Sequence, residues 1–147
     1  MAEDSQQPEI ERNKAVIRRF VEEVQNNNDW DAYDELNDPE FVNLSAPPGV
    51  PPDREGGKMF LQSFANGFPD ARFTIDDMVA EGDRVVTKKT VSATHTGEFA
   101  GIPPTGNRVE LTYVDILRLR DGRIVEHWLS MDQLTFMQQL GAIPTEG

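Results

Sequence analysis

RVELTYVDILRLRDGRIVEHWLSM, residues 108–131, holds two alternating apolar-polar segments, Arg108–Arg120 and Arg123–Met131, on either side of Asp121-Gly122. Alternation at period two marks a half-buried strand. Asp-Gly between two such runs predicts a two-residue type I′ hairpin, and the turn fixes which residues face each other. In that register Leu119 faces Ile124, Leu117 faces Glu126, Asp115 faces Trp128, Tyr113 faces Ser130 and Leu111 faces Asp132. One face then gathers Asp115, Trp128, Asp132 and Tyr113 beside Leu117, Leu119 and Ile124, and the other gathers Val114, Ile116, Val125, His127, Leu129 and Met131. Neither face can stand in water. The mixed polar and aromatic face is expected to line a pocket beneath helices, and the apolar one to pack against a second copy, giving a homodimer or homotetramer.

Upstream, Arg72–Glu81 and Arg84–Glu98 also read as strands joined at Gly82-Asp83. That turn groups Phe73, Ile75, Val79, Val86, Thr90, Ser92 and Thr94, and leaves His95 on the other side with Val91 and Ala93. A bulge in so long a strand would reverse the assignment, so the face of His95 stays open. Before these strands the period is helical. Ile10, Ile17, Phe20, Val21 and Val24 define a first helix from Pro8 to about Asn26, Asp29 caps a short one with Trp30, Tyr33 and Leu36, and Glu55–Ala65 presents Met59, Phe60 and Phe64. A last helix runs from about Asp132 to Leu140. Helices followed by a meander predict an α+β domain over residues 8–147, a curved antiparallel sheet forming a cone or half-barrel with helices on its concave face; residues 1–7 are expected to be a disordered tail.

Composition narrows the function. The 147 residues suit one domain. A net charge of −12 would repel phosphates, which excludes nucleic acid as an expected partner. The acidic surface also fits a halophilic source. With no cysteine there is no thiolate metal site and no thiol nucleophile, and His95 and His127 are the only imidazoles, so no metal site is expected. The N-terminus lacks a signal peptide's basic and apolar regions, and no apolar run spans a membrane; the expectation is a soluble, cytoplasmic protein. No glycine loop opens a helix to hold a nucleotide, and no serine sits in a nucleophile elbow.

The segments Thr94-His95-Thr96-Gly97-Glu98-Phe99 with Gly101-Ile102-Pro103-Pro104-Thr105-Gly106, and Asp121-Gly122-Arg123-Ile124-Val125-Glu126-His127-Trp128 with Asp132 and Gln139-Leu140-Gly141, resemble the signatures of SnoaL-like polyketide cyclases. Phe68-Pro69-Asp70 and the first helix match as well, so the likeness spans about residues 10–141. The resemblance implies the cone fold of the nuclear transport factor and ketosteroid isomerase superfamily. It also implies cofactor-independent ring closure by intramolecular aldol condensation, with an aspartate as acid and base. The aspartate that matches the family pattern is Asp132. By a more distant analogy, Asp115 matches the isomerase position whose protonated acid donates to an enolate oxygen. Leu44, in Phe41-Val42-Asn43-Leu44, stands where many members carry histidine.

The chemistry read from the residues is proton abstraction next to a carbonyl, which needs a base tuned toward neutrality and donors for the enolate. Asp132 as base, with Asp115 as its acid form, Tyr113 or His95 as donors, meets that need; the competing reading of equal weight is that Asp132 only caps the last helix. Trp128, Tyr113, Phe99, Trp30, Phe60 and Asn43 are candidates to hold a hydrophobic, aromatic or polyketide-like substrate, although such aromatics are more often plain core. Two other readings stand beside the cyclase: a non-catalytic ligand-binding or dimerisation module, and an isomerase or epoxide hydrolase using the same pocket.

Overall fold

A computed structural model describes residues 2–144, with side chains from Gln6 onward. Helix α1 (Ala2–Arg19) passes directly into a π-helical turn, Phe20–Gln25, followed by α2 (Trp30–Leu36), strand β1 (Asn37–Asn43) and α3 (Arg54–Gly67). Strands β2 (Arg72–Glu81), β3 (Arg84–Thr94), β4 (Arg108–Arg120) and β5 (Arg123–Ser130) come next, and α4 (Gln133–Leu140) ends the chain. The sheet order is β1-β5-β4-β3-β2, with β1 parallel to β5 and every other pair antiparallel. The sheet is curved and unclosed, and the helices cover its concave side.

The first helix starts earlier than expected. Residues 2–7, read as a disordered tail, belong to α1, and Pro8 lies inside it. The buried face of α1 and the π turn carries Asn13, Ile17, Phe20, Val21 and Val24. In the π turn the Asn26 N–H donates to the Val21 carbonyl, which turns Gln25 inward. Asn26 then docks the helix on the free edge of β2, its side chain donating to the Phe73 carbonyl at 3.0 Å and accepting from the Phe73 N–H at 2.8 Å.

Two bulges correct the register. Next to the turn β5 pairs as expected, Arg120 with Arg123 and Leu119 with Ile124, but beyond it Arg118 pairs with Glu126, Leu117 with His127, Ile116 with Trp128 and Asp115 with Leu129. One extra residue, Val125, exchanges the two faces for the rest of the strand. His127 therefore joins Asp115 on the concave side, and Trp128, expected there, lies outside and is 41% exposed. Likewise an irregularity between Ile75 and Asp77 turns Phe73 and Ile75 toward Val91 and Lys89, leaving Val79 outside with Val86. The outer face thus aligns Val79, Val86, Ile116 and Trp128 in one cross-strand row; Val125, placed there by sequence, is buried.

The edge strand β1 carries no strand signature in its sequence, NDPEFVN. Pro39 lacks an N–H and polar residues fill most of it, a composition tolerated at a sheet edge.

Close backbone contacts fix the loop after β3. The N–H groups of Thr96 and Gly97 donate to the Gly67 carbonyl at 3.2 and 3.0 Å. A side chain at Gly97 would collide with the Asn66 carbonyl. Gly97→Ala should therefore lower stability in urea unfolding by about 1–3 kcal/mol, the usual cost of overpacking.

Candidate active site

The concave face of β4 is buried at every alternate residue: Val109, Leu111, Tyr113, Asp115, Leu117 and Leu119. On β3 the matching set is Val85, Thr87, Lys89, Val91 and Ala93. Apolar residues at the two ends belong to separate clusters. Val85, Leu117 and Leu119 pack with Ile17, Phe20, Tyr33 and Ile124; Val91, Leu111 and Tyr113 pack with Phe68, Phe73, Phe99 and Phe136. Thr87, Lys89 and Asp115 form a polar belt between them.

Pairing explains how the belt assembles. Thr87 lies opposite Asp115 and Lys89 opposite Tyr113, so Lys89 reaches diagonally to the carboxylate. Its Nζ is 3.2 Å from Asp115 Oδ2, with the two side chains 1% and 4% exposed. The Thr87 hydroxyl donates to Asp115 Oδ1 at 3.1 Å. Lys89 also donates to Gln25 Oε1 at 3.2 Å and lies 6.0 Å from the centre of the Tyr113 ring.

His127 gives the belt its outlet to solvent, its side chain being 22% exposed. Its Nε2 is 3.4 Å from Asp115 Oδ2 and its Nδ1 is 3.4 Å from Asn43 Oδ1. The Ser45 N–H donates to that Asn43 oxygen at 3.0 Å, which identifies it as an acceptor. Both imidazole nitrogens thus face acceptors. An imidazolium can donate to both and a neutral ring to only one.

Burial alone would raise the Asp115 pKa, but the charge of Lys89, the hydrogen bond from His127 and the charge of His127 outweigh it and hold the carboxyl below its ordinary range. Asp115 is therefore a carboxylate at neutral pH, not the protonated donor expected from sequence. Tyr113 moves the opposite way. Burial, then the Asp115 charge, push its phenol well above the usual value despite a hydrogen bond with Gln25, so it keeps its proton.

Asp132 is not part of this group. It is exposed and caps α4, its Oδ1 accepting from the Thr135 N–H at 3.0 Å and its Oδ2 from the Thr135 hydroxyl at 2.7 Å. Those two bonds, the hydroxyl's first, hold its pKa below the ordinary value. His95 lies elsewhere in the core, fully buried and stacked on Phe68 with ring centres 5.1 Å apart. Phe99 and Phe60 meet edge-on at 6.2 Å in the aromatic cluster. Trp30 lines a crevice of about 30 Å3 with Val24, Gln25, Leu61, Phe64 and Phe73. Leu44 is 60% exposed. Sequence reasoning missed Lys89, Thr87 and Gln25. The readable signal was Lys89 itself, which falls in phase with Val85, Val91 and Ala93.

Breaking a buried ion pair strands a charge, so Lys89→Met and Asp115→Leu should each cost about 3–5 kcal/mol in urea unfolding, and the double variant should recover most of the loss. The depressed Asp115 pKa sets the sign of the pH effect. Its stabilisation is complete above the unfolded carboxylate range and is lost as pH falls through the lower folded value, a component the double variant should lack.

The model of SnoaL-like polyketide cyclases matches residues 15–140. Among solved structures, AclR of Streptomyces galilaeus, described as a candidate hydroxylase, is 31% identical with a TM-score of 0.82, over 94% of this chain and 86% of that one. TsrD of Streptomyces laurentii is 32% identical with a TM-score of 0.79, over 88% and 95%. IdmH of Streptomyces antibioticus, described as a candidate polyketide cyclase, is 39% identical with a TM-score of 0.76, over 88% and 98%. Among curated proteins there is no match to this chain. Family model, fold and relatives agree, and the chain belongs to the SnoaL-like polyketide cyclase family.

Proposed function

We propose that this protein is a cyclase that closes a ring in a hydrophobic carbonyl compound by an aldol-type step, with His127 and Asp115 moving and holding the proton. The observation that carries this reading is the hydrogen-bonded belt Lys89–Asp115–His127, set between two apolar clusters with one member open to solvent. Nothing in the sheet's architecture requires charge there, and an ionisable cluster in such a place is a mark of function.

The neutral His127 ring donates its Nε2–H to Asp115, and its Nδ1, once substrate displaces the Asn43 oxygen, takes the proton from the carbon next to the carbonyl. Asp115 then holds the resulting imidazolium through Nε2. The enolate carbon attacks a second carbonyl of the same molecule, and the proton returns from His127 to the new alkoxide, so the net reaction is an isomerisation. The protonated Tyr113 phenol and the Lys89 ammonium are the nearby donors for developing negative charge. Asp132 keeps its role as a helix cap. With a planar aromatic keto-ester, His127→Asn should reduce kcat by about 10²–10⁴-fold, the range for a lost acid–base group. Asp132→Asn, which preserves a cap, should leave kcat unchanged. Full activity in the His127 variant would overturn the assignment.

A second reading, a dimerisation module without chemistry, draws support from the crevice of about 30 Å3 beside Trp30, which has room for water and none for a ring. Neither turnover nor binding of any keto-ester, together with a dimer in light scattering, would favour it.

We also infer that the outer row Val79, Val86, Ile116 and Trp128 packs against a second copy of the chain. Val79 and Trp128 are 57% and 41% exposed in the single chain, a cost that pairing two such faces removes. Trp128→Glu should convert a dimer to monomer in light scattering, and an unchanged mass would remove this interface.

A further inference from the structure

The fully buried His95 holds a hydrogen-bonding group with no partner. Its Nδ1 lies 3.0 Å from the Thr105 hydroxyl and 3.3 Å from the Thr105 N–H. A backbone N–H can only donate, so Nδ1 is an acceptor and the neutral ring carries its hydrogen on Nε2. That Nε2 is buried and unpartnered, on a ring stacked against Phe68. Buried donors are nearly always satisfied in native proteins, and an orphan calls for an explanation.

The nearby segment 98–105 has few backbone hydrogen bonds to the rest of the chain. Phe99 and Ile102 exchange hydrogen bonds, Phe99 N–H to Ile102 O at 3.1 Å and Ile102 N–H to Phe99 O at 2.8 Å, around Ala100 and Gly101, both with positive φ. Among the described residues the backbone hydrogen bonds of this tip close on themselves. Its ties to the body lie at the base: Thr96 and Gly97 to Gly67, Gly106 N–H to the His95 carbonyl, and Thr105 to His95. Between the two ends of the base, the tip is held by the buried ring of Phe99, lying 5.4–6.2 Å from the rings of Phe60, Phe64, Phe68 and Phe136, and by the partly buried Ile102.

We propose that Phe99 is a displaceable plug. The tip lifts on its base, an aromatic ring of the ligand takes the place of the Phe99 ring among Phe64, Phe68 and Phe136, and a carbonyl oxygen on that ligand accepts the hydrogen of His95 Nε2. This rests on the reading that the protein takes an aromatic carbonyl compound. It assigns His95 to positioning the ligand, while proton transfer stays with His127.

The test measures binding of 2-acetonaphthone, and of 2-ethylnaphthalene as the same shape without the oxygen, by calorimetry. Phe99→Ala should bind the ketone about tenfold more tightly than the unaltered chain, because no plug has to be displaced. His95→Phe should lose the preference for ketone over hydrocarbon while still binding both. Ketone binding no tighter in the Phe99 variant, or a preference that survives in the His95 variant, overturns the proposal. Should either variant fail to fold, the unaltered protein labelled with 15N-histidine decides: the His95 Nε2–H resonance should move on adding the ketone and stay still with the hydrocarbon, and an unmoved resonance at saturating ketone overturns it. Turnover is read separately. Intact ketone binding through His95 with full activity in His127→Asn would sink the proton-transfer assignment and leave the plug standing.

Discussion

The contact between Lys89 and Asp115 is the constraint around which the interior is organised. Two opposite charges that are almost wholly buried must lie together and be hydrogen-bonded, since either one alone would be intolerable in an apolar core. Their meeting fixes the diagonal between β3 and β4, draws Gln25 down from the π turn, and recruits Thr87 and His127 as further partners. Such a pair adds little net stability over a well-packed apolar substitute. Its effect is to prevent the two apolar clusters from merging, which preserves a polar layer in the middle of the cone.

The layer also separates two kinds of carboxylate. Asp115 and Asp132 both have depressed pKa values, but for different reasons: a buried cation and an imidazole in one case, the open turn of a helix in the other. A motif match brings Asp132 to notice, while its surroundings are those of a cap. Family membership fixes the scaffold, and the reaction depends on which side chains the scaffold gathers.

The strand pattern of residues 108–120 was legible because its alternation never breaks, and the helices were legible from their spacing and from Asp29 and Asp132 as caps. The turn at Asp121-Gly122 was also readable, and its pairing holds for its first two rungs. What the pattern could not announce was the extra residue at Val125. A bulge leaves hydrophobic composition nearly unchanged, so His127 and Trp128 were assigned to each other's faces. Strand β1 was hidden for another reason: an edge position tolerates proline and polar residues that argue against a strand elsewhere. Lys89 was visible all along as a lysine in an apolar phase, yet only its partner on β4 gives that position meaning.

The bulge at Val125 has an evolutionary corollary. Along a strand, a point substitution changes what a position carries, whereas a single-codon insertion or deletion changes which side every later position addresses. Closing the bulge while keeping the residue would send the imidazole to the outside and the indole into the cone, altering the chemistry and the association surface in one event. A lineage built on this scaffold can thus jump between reactivities by slipping a strand one step, while the hairpin, the helices and the ion pair upstream stay as they are.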